Sequence, residues 1–217
     1  MKKRWVESWQ RRSFRIVFIV TIIELFVLLL LWTKFLQFAE ARQGKVLGDV
    51  LMDLYVPGDV SNITFFVTYL SGFIGLGYLI SQPGIIIKSI QTYIVLVLLR
   101  MLTMFLLPLE PPAHIIPLND PILHTFFYGG KDNLKDLFFS GHTATIFMFY
   151  LLYEPKILKG YFLISTLVVA VLVVFQHVHY TIDVLAAPVF AWVAYKLAGG
   201  FYQVIKKIVL PAGSISE

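Results

Sequence analysis

The sequence predicts an all-α, polytopic membrane protein whose six transmembrane helices form one domain. Of its 217 residues, 58% are hydrophobic and 14% are charged, and the mean hydropathy is +0.78, far more apolar than soluble proteins. A spanning helix takes about 20 residues, so we expect one compact helical domain and no second one. The apolar runs lack the alternating pattern of barrel strands, and backbone in lipid needs internal partners, so each run is predicted to be a helix.

Six apolar runs are long enough to cross a bilayer. Pro and Gly residues mark the joints between them, as at Pro57-Gly58 and Pro83-Gly84. The predicted spans are 16–32, 63–80, 89–107, 137–152, 161–177 and 181–197. They lie in a transmembrane domain, 16–200, preceded by a basic arm, 1–15, and followed by a tail, 201–217. An even number of crossings places both termini on the same side.

The positions of Lys and Arg predict which side faces the cytoplasm. Basic residues crowd the arm, 1–15, and recur at Lys156 and Lys159 and in the tail. Acidic residues dominate the loops after the first and third spans, at Glu40, Asp49, Asp53, Asp59, Glu110, Asp120, Asp132 and Asp136. We therefore expect a cytoplasmic arm and tail. The proline-rich loop 108–135 is then an outer rim or lid, since prolines interrupt helices.

Composition also excludes several classes of protein. The net charge of +5 does not indicate nucleic-acid binding, because the basic residues flank apolar runs and do not form a basic surface with interleaved aromatics. Cysteine is absent, which excludes disulfides and thiol nucleophiles. The N-terminal part of the chain also resembles a cleavable secretory signal, since a basic arm and an apolar run precede the small residues Ala39 and Ala41. A membrane span is favoured over a signal, because the apolar run is long and contains Glu24. Short tails favour a bacterial inner membrane over a eukaryotic endomembrane.

Two clusters of polar residues mark a candidate site, because polar groups at membrane depth are costly. Residues 140–143 begin the fourth span, and residues 177–183 lie between the fifth and sixth spans. The orientation deduced from the basic residues places both clusters at the non-cytoplasmic end of the bundle. We therefore expect one shared site on that face.

The spacing within these clusters predicts a mechanism. His179 and Asp183 are four residues apart, so on a helix the carboxylate can hold one imidazole nitrogen. The other nitrogen can then attack phosphorus and form a phosphohistidine without a metal. His142, from another helix, can protonate the departing oxygen and then deprotonate an incoming hydroxyl. The predicted catalytic residues are His142, His179 and Asp183, and no metal or cofactor is expected.

Phosphoryl transfer also requires compensation of negative charge. The helix start at Ser140 and Gly141 offers backbone donors. Arg100 lies within the third span, where a guanidinium needs an anion, which can be phosphate, Glu24 or Asp136. The predicted substrate-binding residues are Arg100, Lys131, Lys135, Asp136, Ser140, Gly141 and Tyr180.

The histidines also permit other interpretations. His177, His179 and Asp183 can form a zinc site, and paired histidines can ligate haem, although no further ligand motif accompanies them. His177 alone is expected to be structural. His114 and His124 lie in the outer loop and are expected to be exposed to solvent.

Both clusters resemble a known family. The sequences LFFSGHT at 137–143 and HYTIDVLAA at 179–187 resemble the two catalytic motifs of the sphingomyelin synthase family, within the type 2 phosphatidic acid phosphatase (PAP2) superfamily. The resemblance extends to Asp136, to His177 and to RMLTMF at 100–105, and covers about 57–197. It implies a triad of His142, His179 and Asp183, a phosphohistidine intermediate, a phospholipid donor and a lipid-alcohol acceptor such as ceramide or diacylglycerol.

The chain departs from that family near the expected substrate entrance. The family's Pro-Pro-Leu-Pro-Asp motif is reduced to residues 56–59, its third-span tyrosine is Phe105, and its Cys-Gly pair is replaced by Leu134-Lys135. The arginine of the phosphatase signature is missing, since Gln176 and His177 stand there, which favours the transferase branch. A lipid phosphatase or C-type phospholipase and a non-enzymatic lipid transporter remain as alternatives, and a homo-oligomer is left open.

Overall fold

The computed structural model describes residues 2–118 and 133–209, with the side chains described up to Gly200 and at Tyr202. Within those residues the chain is all-helical, with a single isolated backbone bridge between Lys45 and Leu109. The helices are α1 (Lys2–Gln10), α2 (Arg12–Ala41), α3 (Ser61–Ser81), α4 (Pro83–Leu106), α5 (Gly141–Leu152), α6 (Lys156–Phe175) and α7 (Thr181–Val209), and a short 3-10 helix spans Met52–Leu54.

Five of the described helices are long and apolar enough to cross a membrane. They are α2, α3, α4, α6 and the Thr181–Gly200 part of α7, and they are consistent with an integral, multi-pass membrane protein. The predicted fourth span is instead the 12-residue helix α5. At about 1.5 Å per residue it rises about 18 Å, short of the hydrocarbon core of about 30 Å. The prediction of six full-length spans is therefore not confirmed.

The fourth span is shorter than predicted because its first residues are buried without being helical. Leu137 and Phe139 are almost fully buried, and the ring of Phe139 stacks on Phe190 of α7 at a centroid distance of 4.4 Å. Ser140 then caps α5, since its hydroxyl accepts a hydrogen bond from the backbone N–H of Thr143. The apolar character of 137–139 predicts that these residues are buried. It does not predict whether the buried segment is helical.

Other boundaries also differ from the predicted ones. Helix α2 continues to Ala41, well past the predicted end at 32. Helix α4 begins at Pro83 instead of 89, because proline is well suited to the first position of a helix. Helix α7 runs on to Val209, through the first residues of the predicted tail.

Helix α7 lies at the centre of the packing and contacts α4, α5 and α6. One side of α7 carries small, fully buried residues at Ala187, Ala191, Ala194 and Ala198. Small side chains let helix backbones approach closely, which is the main source of packing energy between helices in lipid. The opposite side keeps large exposed side chains such as Leu185 and Trp192, as expected for a lipid-facing surface.

The chain runs up and down, so the helix ends gather at two opposite ends of the bundle. At one end, which we call the far end, α1 packs beside the turn between α3 and α4. There Arg4 donates a hydrogen bond to the side chain of Gln82 at 2.9 Å, and the Trp5 indole donates to the backbone oxygen of Ile80 at 2.6 Å. At the other end, the site end, α2, α4 and α6 finish and α3, α5 and α7 begin.

A strap formed by residues 42–60 crosses the site end between α2 and α3. It pairs with the segment after α4, since the Lys45 N–H donates to the Pro108 oxygen and the Glu110 N–H donates to the Lys45 oxygen, both at 3.0 Å. Glycine is required beside this pairing, because a Cβ at Gly44 would lie 2.5 Å from the carbonyl carbon of Leu109. The strap is thus a fixed part of the site end.

Candidate functional site

The predicted pair of His179 and Asp183 is in contact at the start of α7. The His179 Nδ1 and Asp183 Oδ2 atoms are 3.4 Å apart, and the two residues are 2% and 0% exposed. The contact does not have hydrogen-bond geometry, and it is an ion pair only when His179 is protonated. Among the described residues neither His179 Nδ1 nor Asp183 Oδ1 has a hydrogen-bond partner. Catalytic hydrogen bonds are often long in ligand-free structures and shorten when substrate binds.

The first turn of α7 fixes Asp183 in this position. Its Oδ2 atom accepts a hydrogen bond from the backbone N–H of Tyr180 at 3.1 Å, which is a local capping contact. The next amide, Thr181 N–H, donates to Asp49 Oδ2 at 2.6 Å, and the Thr181 hydroxyl donates to Asp49 Oδ1 at 3.0 Å. Asp49 belongs to the strap, so the strap holds the start of the helix that carries Asp183.

The start of α5 is attached directly to the start of α7. The backbone N–H of Ser140 donates to the backbone oxygen of Asp183 at 3.1 Å. His142 is the second residue of α5 and is partly buried. The two polar clusters predicted from the sequence therefore lie at one end of the bundle and are joined by a hydrogen bond.

Arg100 lies beside the start of α5 and is 9% exposed. Its Nη2 atom pairs with Asp136 Oδ1 at 2.5 Å, and its Nε donates to the Phe139 oxygen at 3.0 Å. A Cβ on Gly141 would overlap the Nη1 atom of the guanidinium. Of the three anions proposed for Arg100, the structure pairs it with Asp136, whereas Glu24 is exposed on α2.

The remaining predicted substrate-binding residues have structural contacts of their own. The Tyr180 hydroxyl donates to the Glu110 oxygen and accepts from the Leu47 N–H, and burial raises the pKa of Tyr180. The Lys135 ammonium donates to Glu110 Oε1 at 2.9 Å and to the Arg42 oxygen at 2.6 Å. Both thus attach the strap and the segment after α4 to the site end. Lys131, His124 and the rest of residues 119–132, which are half of the predicted lid, lie outside the described residues.

His177 ends α6 in a left-handed conformation, with φ of 58°. The His177 N–H donates to the Val174 oxygen and the Val178 N–H donates to the Val173 oxygen, both at 2.9 Å, which is a Schellman motif. The His177 Nδ1 donates to the Ala113 oxygen at 2.9 Å. The contact fixes the loop after α4, in agreement with the structural role expected for His177. His114, in that loop, is exposed as predicted.

Two further side chains shape the site end, although neither was predicted from the sequence to be a site residue. Gln176 is fully buried. It accepts from the Val60 N–H and donates to the Ser61 hydroxyl and the Ile116 oxygen, so it ties α3 and the loop after α4 to α6. Asp49 caps α7 from a distance of 132 residues along the chain. Within 2–118 and 133–209, no three His, Asp or Glu side chains are grouped to hold a metal ion.

Comparison with known proteins gives a family match over this part of the chain. A family model described as the PAP2 superfamily C-terminal region matches residues 135–199, which include both polar clusters. Members of that superfamily are metal-independent phosphatases and phosphotransferases, and the match suggests activity of that type on lipid phosphates. No curated protein and no solved structure matches the chain. The fold is consistent with an integral, multi-pass membrane protein, and residues 135–199 are similar to the C-terminal region of the PAP2 superfamily.

Proposed function

We propose that the protein is a membrane lipid phosphotransferase that moves a phospho-headgroup from a phospholipid to a lipid alcohol. The observation that carries the proposal is the buried contact between His179 and Asp183 at the start of α7. Two adjacent buried atoms, His179 Nδ1 and Asp183 Oδ1, lack hydrogen-bond partners in the described chain. Such atoms are few in native structures, and a catalytic role is one of the explanations for them.

In the first half-reaction, His179 Nε2 attacks phosphorus and the bond from phosphorus to the diacylglycerol oxygen breaks. Asp183 orients the ring and stabilises the positive charge that develops on it. His142 gives its proton to the departing oxygen. The products are free diacylglycerol and a headgroup-phosphoryl His179.

In the second half-reaction, the hydroxyl of a ceramide or diacylglycerol attacks the same phosphorus atom. His142 takes the hydroxyl proton, the nitrogen–phosphorus bond breaks, and His179 returns to its neutral form. The bond from Ser140 to Asp183 supports roles for His142 and His179 on one substrate, because it joins the helices that carry them.

The phosphoryl oxygens are proposed to bind at the start of α5. Arg100 lies against Gly141, so a buried cation stands beside the positive end of a helix dipole. Ser140 and Asp136 act here by holding α5 and the guanidinium. Lys131 and Lys135 are proposed as further cations at the entrance.

Burial favours transfer over hydrolysis. His179 and Asp183 are almost inaccessible to solvent, and a dry site protects a reactive phosphohistidine from water. We place the site on the non-cytoplasmic face of the membrane, because the basic residues of α1, together with Lys156 and Lys159, concentrate positive charge at the far end.

The test is an assay of the purified protein in lipid nanodiscs with fluorescent ceramide or diacylglycerol and mixed phospholipids. We expect a new fluorescent phospholipid, and a loss of about three orders of magnitude or more in turnover for His179→Ala and Asp183→Asn. His114→Asn is the matched control, since His114 is an exposed histidine with φ of 58°.

Two other results would replace this proposal. Release of free phosphate or phosphocholine without a new lipid would identify a lipid phosphatase or C-type phospholipase, an activity that the PAP2 match also accommodates. Lipid movement between leaflets that survives His179→Ala would identify a transporter.

A further inference from the structure

Two helix N-termini meet at the site, and each is by itself attractive to a phosphoryl group. Helices α5 and α7 begin beside each other, joined by the bond from the Ser140 N–H to the Asp183 oxygen. The first turn of a helix presents backbone donors and the positive end of the dipole, so anions bind there. A substrate phosphate that approaches His179 therefore has two competing positions at which it could bind.

At α7 that position is already occupied by a carboxylate of the chain itself. Asp49 Oδ2 lies 2.6 Å from Thr181 N, and Asp49 Oδ1 lies 3.0 Å from the Thr181 hydroxyl. Burial acts to raise the pKa of Asp49, but the hydrogen bonds from Thr181, Met52 and Leu51 outweigh it and hold the pKa below its usual value. Asp49 thus remains an anion at neutral pH.

The strap holds Asp49 at this position from both sides. The backbone N–H groups of Leu51 and Met52 donate to Asp49 Oδ1 at 3.2 and 3.4 Å. On the other side, the Leu47 N–H donates to the Tyr180 hydroxyl at 3.2 Å. The carboxylate is therefore placed by several contacts and does not depend on Thr181 alone.

At α5 the neighbouring group is a guanidinium that is itself paired with a carboxylate. The guanidinium of Arg100 lies against Gly141, the first residue of α5. Its bonds to Asp136 and to the Phe139 oxygen hold it there. One helix start is therefore filled by a carboxylate, whereas the other lies beside the guanidinium of the Arg100–Asp136 ion pair.

We propose that Asp49 is a built-in anion that fills the N-terminus of α7 and so directs the substrate's phosphoryl group to the N-terminus of α5. This proposal rests on the proposed function, since it concerns where the phosphoryl group binds. Asp49 acts as a positioning residue: it leaves His179, just before α7, facing a phosphorus atom held from α5.

The test compares the binding of inorganic phosphate to the purified full-length protein and to Asp49→Asn by equilibrium dialysis. The neutral amide keeps an acceptor oxygen but removes the competing charge, so we expect phosphate to bind about two- to tenfold more tightly, the range typical of anions at helix starts. A merely structural role for Asp49 predicts no such gain.

Asp59→Asn is the matched control, because Asp59 is also in the strap and caps α3 through the Ser61 N–H at 3.0 Å. Its phosphate affinity should equal that of the wild-type protein. Asp49→Ser provides a second neutral cap. Unchanged or weaker phosphate binding in both Asp49 variants, or loss of the folded state in both, would overturn the proposal.

The outcome for Asp49 is separable from the outcome for the proposed function, because dialysis needs no turnover. A wild-type protein without lipid phosphotransfer would count against the proposed function. Equal phosphate binding by wild type and Asp49→Asn would count against the role of Asp49.

Discussion

Asp183 is fully buried, and its carboxylate is only partly satisfied by the described residues. Oδ2 accepts from the Tyr180 N–H and contacts His179, whereas Oδ1 has no hydrogen-bond partner there. A buried polar atom without a partner costs about 1–3 kcal/mol. Such an arrangement is expected where the missing partner arrives with the reaction, as when His179 becomes positively charged.

Gly141 is the residue at which the packing of Arg100 can be tested. In Gly141→Ala the new Cβ overlaps the guanidinium, so we expect Arg100 to shift, turnover to fall at least about tenfold, and stability to fall by about 1–3 kcal/mol, as for an overpacked site. Turnover and thermal unfolding measure the two effects. Gly77→Ala is the control, because a Cβ there meets no heavy atom within 4 Å, and a fully active Gly141→Ala would contradict the packing described.

At the residue scale, the sequence predicts contacts whose partners are close along the chain. The four-residue spacing of His179 and Asp183 predicts that the two side chains share a helical turn. The structure brings them to 3.4 Å, but His179 lies before the first residue of α7, so the turn between α6 and α7 sets the contact. For Arg100 the sequence leaves three candidate anions, and only the structure identifies Asp136 as its partner. The contact of Asp49 with Thr181 joins residues 132 apart, and no local spacing encodes it.

At the scale of elements, the strap is the part of the site that hydropathy does not predict. It has neither the length nor the period of a helix, and its attachment depends on individual hydrogen bonds to α7 and to the segment after α4. For the same reason hydropathy does not predict that α5 begins only at Gly141. The apolar residues 137–139 satisfy the composition of a span, but their packing against α7 is a tertiary feature that only the fold reveals.

Acid should release the strap. Hydrogen bonds from Gly44 and Lys135 lower the pKa of Glu110, and the bonds to Asp49 lower its pKa despite burial. The ordinary pKa, which applies to the unfolded chain, is 3.8 for Asp49 and 4.5 for Glu110. A carboxyl group whose pKa is lower in the folded state stabilises the fold at any pH above that ordinary pKa. This stabilisation is lost as the pH falls through the pKa of the folded state.

We therefore expect residues 44–52 to lose amide protection progressively as the pH falls below about 4.5, after correction for intrinsic exchange rates. Hydrogen–deuterium exchange with mass spectrometry measures this. The turn at Gln82 and Pro83, at the far end, serves as the internal control. Equal protection of the strap at pH 7 and pH 3 would contradict the role given to these carboxylates.

At the scale of the whole molecule, the structure separates two ends but leaves their orientation in the membrane as a prediction from charge. The chain lacks cysteine, so single cysteines can report the side of each end. Lys45 is exposed at the site end and Lys156 is exposed at the far end. We expect a membrane-impermeant maleimide to label Lys45→Cys in intact cells and Lys156→Cys only after permeabilisation. The reverse pattern would contradict the predicted orientation.

The central claim is that His179 carries the transferred group between two lipids. Mass spectrometry of protein quenched after mixing with a phospholipid donor, in the absence of a lipid alcohol, tests it most directly. The account predicts a headgroup-phosphoryl adduct on His179 that disappears when the alcohol is added and does not form in His179→Ala. Continued lipid turnover without an adduct on His179, or with an adduct on another residue, would contradict it.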